Sequence, residues 1–466
     1  MKIALLSPSG AMHRYNGMFH KNLHYAPITL PLLAALVPEE LNAEIRIYDE
    51  SAEAIPLDLD ADIIAMTCIT GTAPRVYKYA DYFRSRGITV LLGGVHPTLM
   101  PEEAALHADS VLTGLGEETF PAALRDFVKG TLRPRYEQEC RTNIEGRPLP
   151  RKDLLKKSRY ITLNTVEAIR GCCHDCTFCA YPAAFGQALY KRTIDDIVNE
   201  IKTMKGKFII FPDVNLIADR TFAIELFTAL IPLKKWWLGL TTTVIYQDEM
   251  LMKLMRKSGC KGLLIGFESV NQATQDGVNK GMNQVNQYHS LMSTLHKNGI
   301  MVMGCFALGG DEDERDVFTR TAEMCVQAKI DLPRFAIITP FPKTAYYAEL
   351  EAQGRIVERD FSLYDVEHVV YTPKHMSKSE LEQGMDEVWR KTYTWKNILR
   401  RFDWKNIRHL FVMFIPYFLL NVGYRQYAKR FAEYGDEVMT DNSDIPEPMD
   451  TMPIDTVRSE SSEVGA

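Results

Sequence analysis

The residues best suited to chemistry lie in "RGCCHDCTFCAYP", residues 170–182, where four of the nine cysteines fall within eight positions. The other five, Cys68, Cys140, Cys260, Cys305 and Cys325, stand one at a time. Cys172, Cys176 and Cys179 have the spacing C-x3-C-x2-C, directly after an apolar, strand-like segment. Three thiolates can each hold one iron of a cubane cluster, which leaves the fourth iron open to a further ligand. Cys173 falls outside that spacing. The competing reading is a structural zinc held by the three thiols and His174. Structural zinc gathers its ligands as two separated pairs, and the sequence offers no second pair.

The cluster has to be positioned by what surrounds it. Residues 161–345 repeat a strand–helix unit about six times, with strands "ITLNTVEAI", "KFIIFPDV", "WWLGLTTTV", "KGLLIGFES", "IMVMGCFALGG" and "RFAIITPF". Thr193 and Asp248 are placed to cap the helices that follow them, and Gly259 and Gly299 to stop theirs. Leu251, Leu254 and Met255 form an apolar helical stripe. Six β/α units predict a barrel or an open part of one, with its chemistry at the carboxyl ends of the strands. The cysteines follow the first strand, at that end.

Residues 1–130 alternate five short apolar strands with amphipathic helices, the pattern of a parallel sheet covered on both faces. This is a doubly wound, Rossmann-like domain, whose ligands bind outside the carboxyl ends of its strands. Residues 131–160 are basic, contain prolines and read as a linker. The fold class is therefore α/β: an N-terminal doubly wound domain, a partial (β/α)6 barrel over 161–375, and a helical region over 376–433. The acidic tail over 434–466 reads as disordered.

Taken together, "RGCCHDCTFC" with an aromatic residue before its last cysteine resembles the radical S-adenosylmethionine superfamily. "GGVHPTLMPEEA", "VLTGLGEET", "KRTIDDIVNEI", "FPDVN", "GCKGLLIGFES", "FALGG" and "TPFPKTAYYAELEAQGRI" extend the resemblance to its cobalamin-binding branch over residues 1–375. That branch commonly has Pro at the place of Cys173. The resemblance implies a [4Fe-4S] cluster on Cys172, Cys176 and Cys179, with Phe178 beside it, and S-adenosylmethionine bound at the open iron. One electron then yields methionine and a 5′-deoxyadenosyl radical, which abstracts hydrogen from an unactivated carbon. By the same similarity Asp213 and Asn215 contact the amino group of S-adenosylmethionine, with Val214 standing where a second Asp is common; helix capping by Asp213 is the alternative. Glu268 and Ser269 hydrogen-bond the ribose or methionine moiety, or form a structural pair. Gly309 and Gly310 let the backbone approach the adenine, or make an ordinary turn. Lys280 and Arg192 either meet the carboxylate or are solvated surface charges.

For the N-terminal domain the resemblance implies cobalamin. The sequence has no D-x-H-x-x-G, so cobalamin would bind without a protein imidazole on the cobalt. Thr67 and Thr70 in "TCITGT", Gly93 and Gly94 in "GGVHPT", and Gly116 and Glu117 in "GEET" are the expected contacts, the last at a helix start whose amides can bind polar groups. His96 is expected to line the nucleotide-base pocket or cap a turn rather than to bind cobalt. No G-x-G-x-x-G supports a dinucleotide site instead.

The implied activity is methylation of an unactivated carbon in an apolar substrate, a lipid, isoprenoid or tetrapyrrole, by methylcobalamin and the 5′-deoxyadenosyl radical. Two alternatives stand beside it: an oxidative cyclase like the anaerobic magnesium-protoporphyrin ester cyclase, and a cobalamin sensor without chemistry. A methylthiotransferase lacks support, because there is no second N-terminal cysteine triplet. An electron donor such as flavodoxin or ferredoxin is implied.

The formal net charge of −6 argues against a nucleic-acid partner. The N-terminus lacks a secretory signal, and the sequence shows no uninterrupted apolar run of transmembrane length. Scattered cysteines point to a reducing cytoplasm. Residues 395–430 join "LFVMFIPYFLL" to many Lys and Arg residues, which suits either peripheral contact with the inner face of the membrane or packing on the barrel.

Overall fold

The computed structural model describes residues 1–10, 25–138, 144–434 and 442–448; Cys140 and most of the expected disordered tail lie outside them. The N-terminal strands are β1 (Lys2–Ser7), β2 (Glu44–Asp49), β3 (Ile63–Thr67), β4 (Thr89–Gly93), β5 (Ser110–Thr113) and β6 (Arg135–Glu137). They form one parallel sheet in the order β2-β1-β3-β4-β5-β6. The near-continuous apolar runs of β1 and β3 arise because both sheet faces are covered: Ala4 and Leu6 join one core, Ile3 and Leu5 the other. The sequence reading found five strands. The sixth, β6, lies in the segment read as linker; only Tyr136 of its three residues is buried, too short a pattern to show periodicity.

A hairpin, β7 (Ile169–Arg170) with β8 (Tyr190–Lys191), leads into the second domain. There β9 (Phe208–Ile210), β10 (Trp236–Thr241), β11 (Cys260–Glu268), β12 (Met301–Leu308) and β13 (Leu332–Ile337) form a parallel sheet in sequence order. The first barrel unit, expected as a full strand over 161–169, contributes only a bridge between Thr165 and Ile210. It breaks off because Ile169 and Arg170 turn away to pair with β8. Thr193 and Asp248 cap their helices as their types require, accepting from the amides of Asp196 and Leu251. Gly259 ends its helix in the left-handed region at φ +101°.

The C-terminal helices pack on the outside of β13 and its neighbours. Arg401 is fully buried and donates to the carbonyls of Ile330 and Asp331 and to Asn421. His296 bridges Asp331 and Asp403, and both carboxylates hold its imidazole above its usual pKa against the opposing effect of burial. By length and composition Trp404–Lys429 is apolar enough to cross a membrane, contrary to the sequence reading, but 33% of its most apolar window is buried against the protein. Tyr417 and Asn421 face the barrel, while Phe411, Ile415 and Leu419 face outward.

Part of the tail is ordered. Ile445 is 1% exposed within the N-terminal core, Asp444 pairs with Arg75 at 2.7 Å, and Glu447 with Lys78 at 3.1 Å. An acidic composition hid this, because one apolar anchor among acidic residues carries no periodicity.

Candidate functional site: the cysteine loop and the interdomain cleft

The cysteine loop is held from both sides by backbone bonds. The amide of Thr177 donates to the carbonyl of Val278, and the amide of Tyr346 to the carbonyl of Thr177. Gly171 opens the loop at φ +124°, and a Cβ there would collide with the carbonyl of Ala188, so only glycine fits. Cys179 immediately precedes the helix Ala180–Phe185, with no side-chain capping bond. Cys172, Cys176 and Cys179 lie within electrostatic range of one another, and Cys173 points to solvent. Among the described residues no three Cys, His, Asp or Glu side chains converge tightly enough to hold a single metal ion. Burial pushes the Cys176 thiol up to about 11, so iron has to displace its proton. Nearby, the Lys280 ammonium is held above its usual pKa by Glu268 and the thiols despite burial, and it offsets the negative charge a cluster brings. The donor set fits a three-cysteine cluster.

Lys280 is buried, pairs with Glu268, and stands 5.8 Å from the centre of the Phe178 ring. It is not a solvated charge. Glu268 reaches it from the end of β11 through a register shift and a φ of +60°. Asn215 is buried with its amide nitrogen 4.0 Å from the Cys172 sulfur, which places it beside the cluster. Asp213 is 4% exposed and does not cap the following helix, a task taken by Asp219. Its Oδ1 accepts from the amides of Ala168 and Ile169, while its buried Oδ2 has no hydrogen-bond partner. Burial and the nearby Glu167 push its carboxyl up to about 7.

For Ser269 and Gly309 the structure matches the structural alternative, and Arg192 matches neither of its readings. Ser269 is fully buried and donates to Asp313 at 3.2 Å, so it does not face a ligand. Asp313, which sequence reasoning missed, also accepts from Thr274 and from the amides of Gly309 and Gly310. Gly309 therefore makes the turn of its alternative reading, since a Cβ on it would meet Tyr371 and Leu381 rather than open space. Arg192 is neither at the site nor in solvent: it is buried against Glu200 at 2.6 Å. The position of Asp313, three residues past a Gly-Gly pair, was the available signal for a turn-closing carboxylate.

Across from the loop, the carboxyl ends of β3, β4 and β5 open into a cleft of about 350 Å³. Thr67, Gly93, Gly94, Gly116 and Glu117 line it on one side, and Ile169, Gly171 and Asp213 on the other. Gly94 has φ +110°, and a Cβ on it would lie 2.8 Å from the Cys68 carbonyl oxygen, so the chain there is bare backbone by necessity. The helix Gly116–Val128 starts at the cleft with no side-chain cap at Leu115. This is a glycine-walled cradle at the switch side of a doubly wound sheet, and it fits a large cofactor laid against the backbone.

Thr70 and His96 do not line the cleft. They hydrogen-bond each other at 3.2 Å, His96 also meets Glu103 at 3.4 Å, and the ring packs edge-on to Phe361. Both imidazole nitrogens are engaged, and Gly71 abuts the Tyr364 carbonyl. The "TCITGT" turn thus seals the domain against Phe361–Leu363 of the barrel extension.

Glu117 does more than line the cleft. It accepts from Arg170 at 2.9 Å and pairs with Arg147, and both arginines pair with Glu167. These four side chains are 3–16% exposed and cross from the N-terminal domain to the strand leading into the cysteine loop. The two arginines hold the Glu167 carboxyl well below the usual range in spite of its burial. Glu167 and Arg170 are three residues apart in the sequence, whereas Glu117 lies 50 residues upstream of Glu167 and is brought to them only by the fold.

Comparison with known proteins agrees with this arrangement. Residues 166–324 match the Radical SAM superfamily and residues 25–124 the B12 binding domain. The chain is 28% identical over 407 residues to the bacteriochlorophyllide d C-12(1)-methyltransferase of Chlorobaculum tepidum, covering 85% of this chain and 88% of that one. It is 28% identical over 395 residues to the bacteriochlorophyllide d C-8(2)-methyltransferase of the same organism, covering 80% and 87%. Its fold superposes on the cobalamin-dependent S-adenosylmethionine radical enzyme OxsB, solved with aqua-cobalamin and S-adenosylmethionine, with a TM-score of 0.66 at 14% identity over 90% of this chain and 72% of that one. The chain belongs to the cobalamin-binding radical S-adenosylmethionine enzymes, with a cobalamin cleft that opens onto its cluster loop.

Proposed function

We propose that this enzyme is a C-methyltransferase that acts on an unactivated carbon of an apolar substrate, a tetrapyrrole or a lipid. The observation that carries the reading is the shared cleft: Gly93, Gly94 and Gly116 form one wall, and Gly171, adjacent to Cys172, and Asp213 form the other. Cluster-bound S-adenosylmethionine and methylcobalamin supply, when bound, a hydrogen-abstracting radical and a methyl group within that one space. The chain's part is positional. The cysteine loop is pinned to Val278 and Tyr346, and the Glu117–Arg170–Glu167–Arg147 network fixes the distance between the two cofactor walls. Asp213 Oδ2, buried and without a partner, suits the ammonium of S-adenosylmethionine. The bacteriochlorophyllide methyltransferases named above support methylation and an apolar substrate.

The electron reaches the cluster from a small donor such as flavodoxin or ferredoxin. The eight described cysteines are unpaired, which supports a reducing cytoplasmic setting. The outward row of Phe411, Ile415 and Leu419, flanked by Arg408 and Arg425, supports peripheral contact with the membrane. Unchanged liposome flotation after deletion of 395–430 would count against that contact.

The test of the central reading is anaerobic reconstitution with iron, sulfide and cobalamin, then methyl-deuterated S-adenosylmethionine, reductant and an apolar cell extract. Sustained 5′-deoxyadenosine and S-adenosylhomocysteine with label in an extract component is the expected result. Sustained 5′-deoxyadenosine without either would replace methylation by cyclase-like oxidation.

A further inference from the structure

The barrel is hollow at the end opposite its cysteines. Along β10, β11 and β12 the residues alternate between buried and half-exposed, and the half-exposed set (Leu238, Leu240, Leu264, Met303) faces the lumen. These residues line a chamber of about 1290 Å³ at the amino-terminal halves of the strands. Pockets for drug-sized ligands run from about 300 to 1,000 Å³. Gly262 belongs to the same wall and widens it. The C-terminal helix closes one side with Met413, Tyr417 and Leu420. The lumen row of β11 continues from Leu264 through Gly266 to Glu268, four residues or about 13 Å further along the strand. Gly266 lies directly beneath the Glu268–Lys280 pair, because a Cβ on it would collide with both side chains. The chamber and the Glu268–Lys280 pair thus lie along one lumen-facing row of β11, with the pair standing between the chamber and the cluster loop.

Among the described residues, the charges at the mouth of the chamber that have no ion-pair partner are cations. Lys157, Lys205 and Lys207 are exposed there. The two acidic residues at the rim are already engaged, Asp153 by Arg151 and Glu200 by Lys152 and Arg192. An apolar cavity with uncompensated cations at its entrance selects an amphiphile with an anionic end.

We propose that this chamber binds the substrate, which is an amphiphile carrying a carboxylate. The acidic end rests on Lys157, Lys205 and Lys207, the apolar body fills the space between Leu238, Leu264 and Met303, and the reacting carbon lies at the far end, toward Glu268. The proposal rests on the methyltransferase reading for the word substrate, but the cavity and its charge preference stand without it.

The test is equilibrium binding of cis-parinaric acid, a fluorescent polyene fatty acid, and of its methyl ester to the reconstituted full-length protein. The acid is expected to bind at least about tenfold tighter than the ester, the size of a charge-assisted contact. The double variant Lys205→Glu/Lys207→Glu should lose that preference and leave ester binding unchanged. Leu264→Trp and, on a separate strand, Met303→Trp should weaken both probes by about tenfold or more while cobalamin absorbance and the thermal transition stay as in the wild type. Equal binding of acid and ester, or no effect of charge reversal, overturns the anionic end. No binding to the wild type, or wild-type binding by folded plug variants, overturns the chamber. Failure of the methyltransferase reading is seen separately, as absence of label transfer with probe binding intact.

Discussion

Asp213 is a buried carboxyl whose charge the folded protein does not neutralise, and Asp213→Asn measures what that costs. In the folded chain its carboxyl keeps a proton to about pH 7, against 3.8 for the free side chain. Between those values folding takes up a proton, so the wild type loses stability as pH rises from about 4 to 7 and the loss levels off above. Summing both titrations, the cost is about 2 kcal/mol at pH 5 and about 4 kcal/mol at pH 8, at 1.36 kcal/mol per pKa unit. The asparagine of the variant does not titrate. It keeps an acceptor for the amides of Ala168 and Ile169 but brings an amide group that needs a partner, at about 1–3 kcal/mol independent of pH. The absolute change therefore depends on local packing, but the difference between the two pH values does not. Relative to the wild type, Asp213→Asn should gain about 2–3 kcal/mol between pH 5 and pH 8. Urea unfolding of cluster-free protein under anaerobic reducing conditions, followed by the fluorescence of the barrel tryptophans Trp236 and Trp237, reads this directly. A stability difference that stays constant from pH 5 to pH 8 would refute the argument, because it would mean that Asp213 is ionised throughout. After cluster reconstitution, added S-adenosylmethionine should raise the wild-type midpoint at pH 8 more than that of the variant.

Further expectations follow from the same physical reasoning. Cys176→Ala should abolish iron–sulfur absorbance and 5′-deoxyadenosine formation while cobalamin stays bound; survival of both activities would end the radical reading. Glu117→Gln leaves Arg147 and Arg170 sharing one carboxylate in a site only 3–16% exposed, and should cost about 3–5 kcal/mol, seen as easier proteolysis between the domains. Gly94→Ala places a Cβ 2.8 Å from a backbone carbonyl at φ +110°, and should lower cobalamin occupancy and cost on the order of 1–3 kcal/mol in the melting of the N-terminal domain. Ile445→Ala should destabilise that same domain by about 2–4 kcal/mol, whereas a loss confined to the barrel would contradict the packing described.

The readable parts of the sequence were those with local physical signatures. The alternation of strand and helix, the caps at Thr193 and Asp248, and the cysteine spacing each follow from residues close in the chain. Thr67, Gly93, Gly94, Gly116 and Glu117 line the cleft because strand ends of a doubly wound sheet converge there. The failures share a different cause. His96 and Thr70 sit at a strand end, but Phe361 arrives from a distant segment to cover them. Ser269 and Gly309 sit at barrel strand ends, but Asp313 claims both. Lys280 and Arg192 read equally as carboxylate contacts or as solvated charges, and Glu268 and Glu200 accompany them inward. In each case the deciding partner is set by tertiary packing, which a strand-end position alone does not reveal.

The return of residues 442–448 to the N-terminal domain also sets an order of events during synthesis. Ile445 belongs to the apolar cluster that packs against β3 and β4, so this core is complete only after the barrel and the C-terminal helices have been translated. At about 5–20 residues per second, some 300 residues separate the end of the N-terminal sheet from its last core residue, a delay of about 15–60 s. The barrel is made within that interval. The domain made before the barrel is thus finished after it, and its full capacity to retain a cofactor arrives together with the partner wall that the cofactor must face.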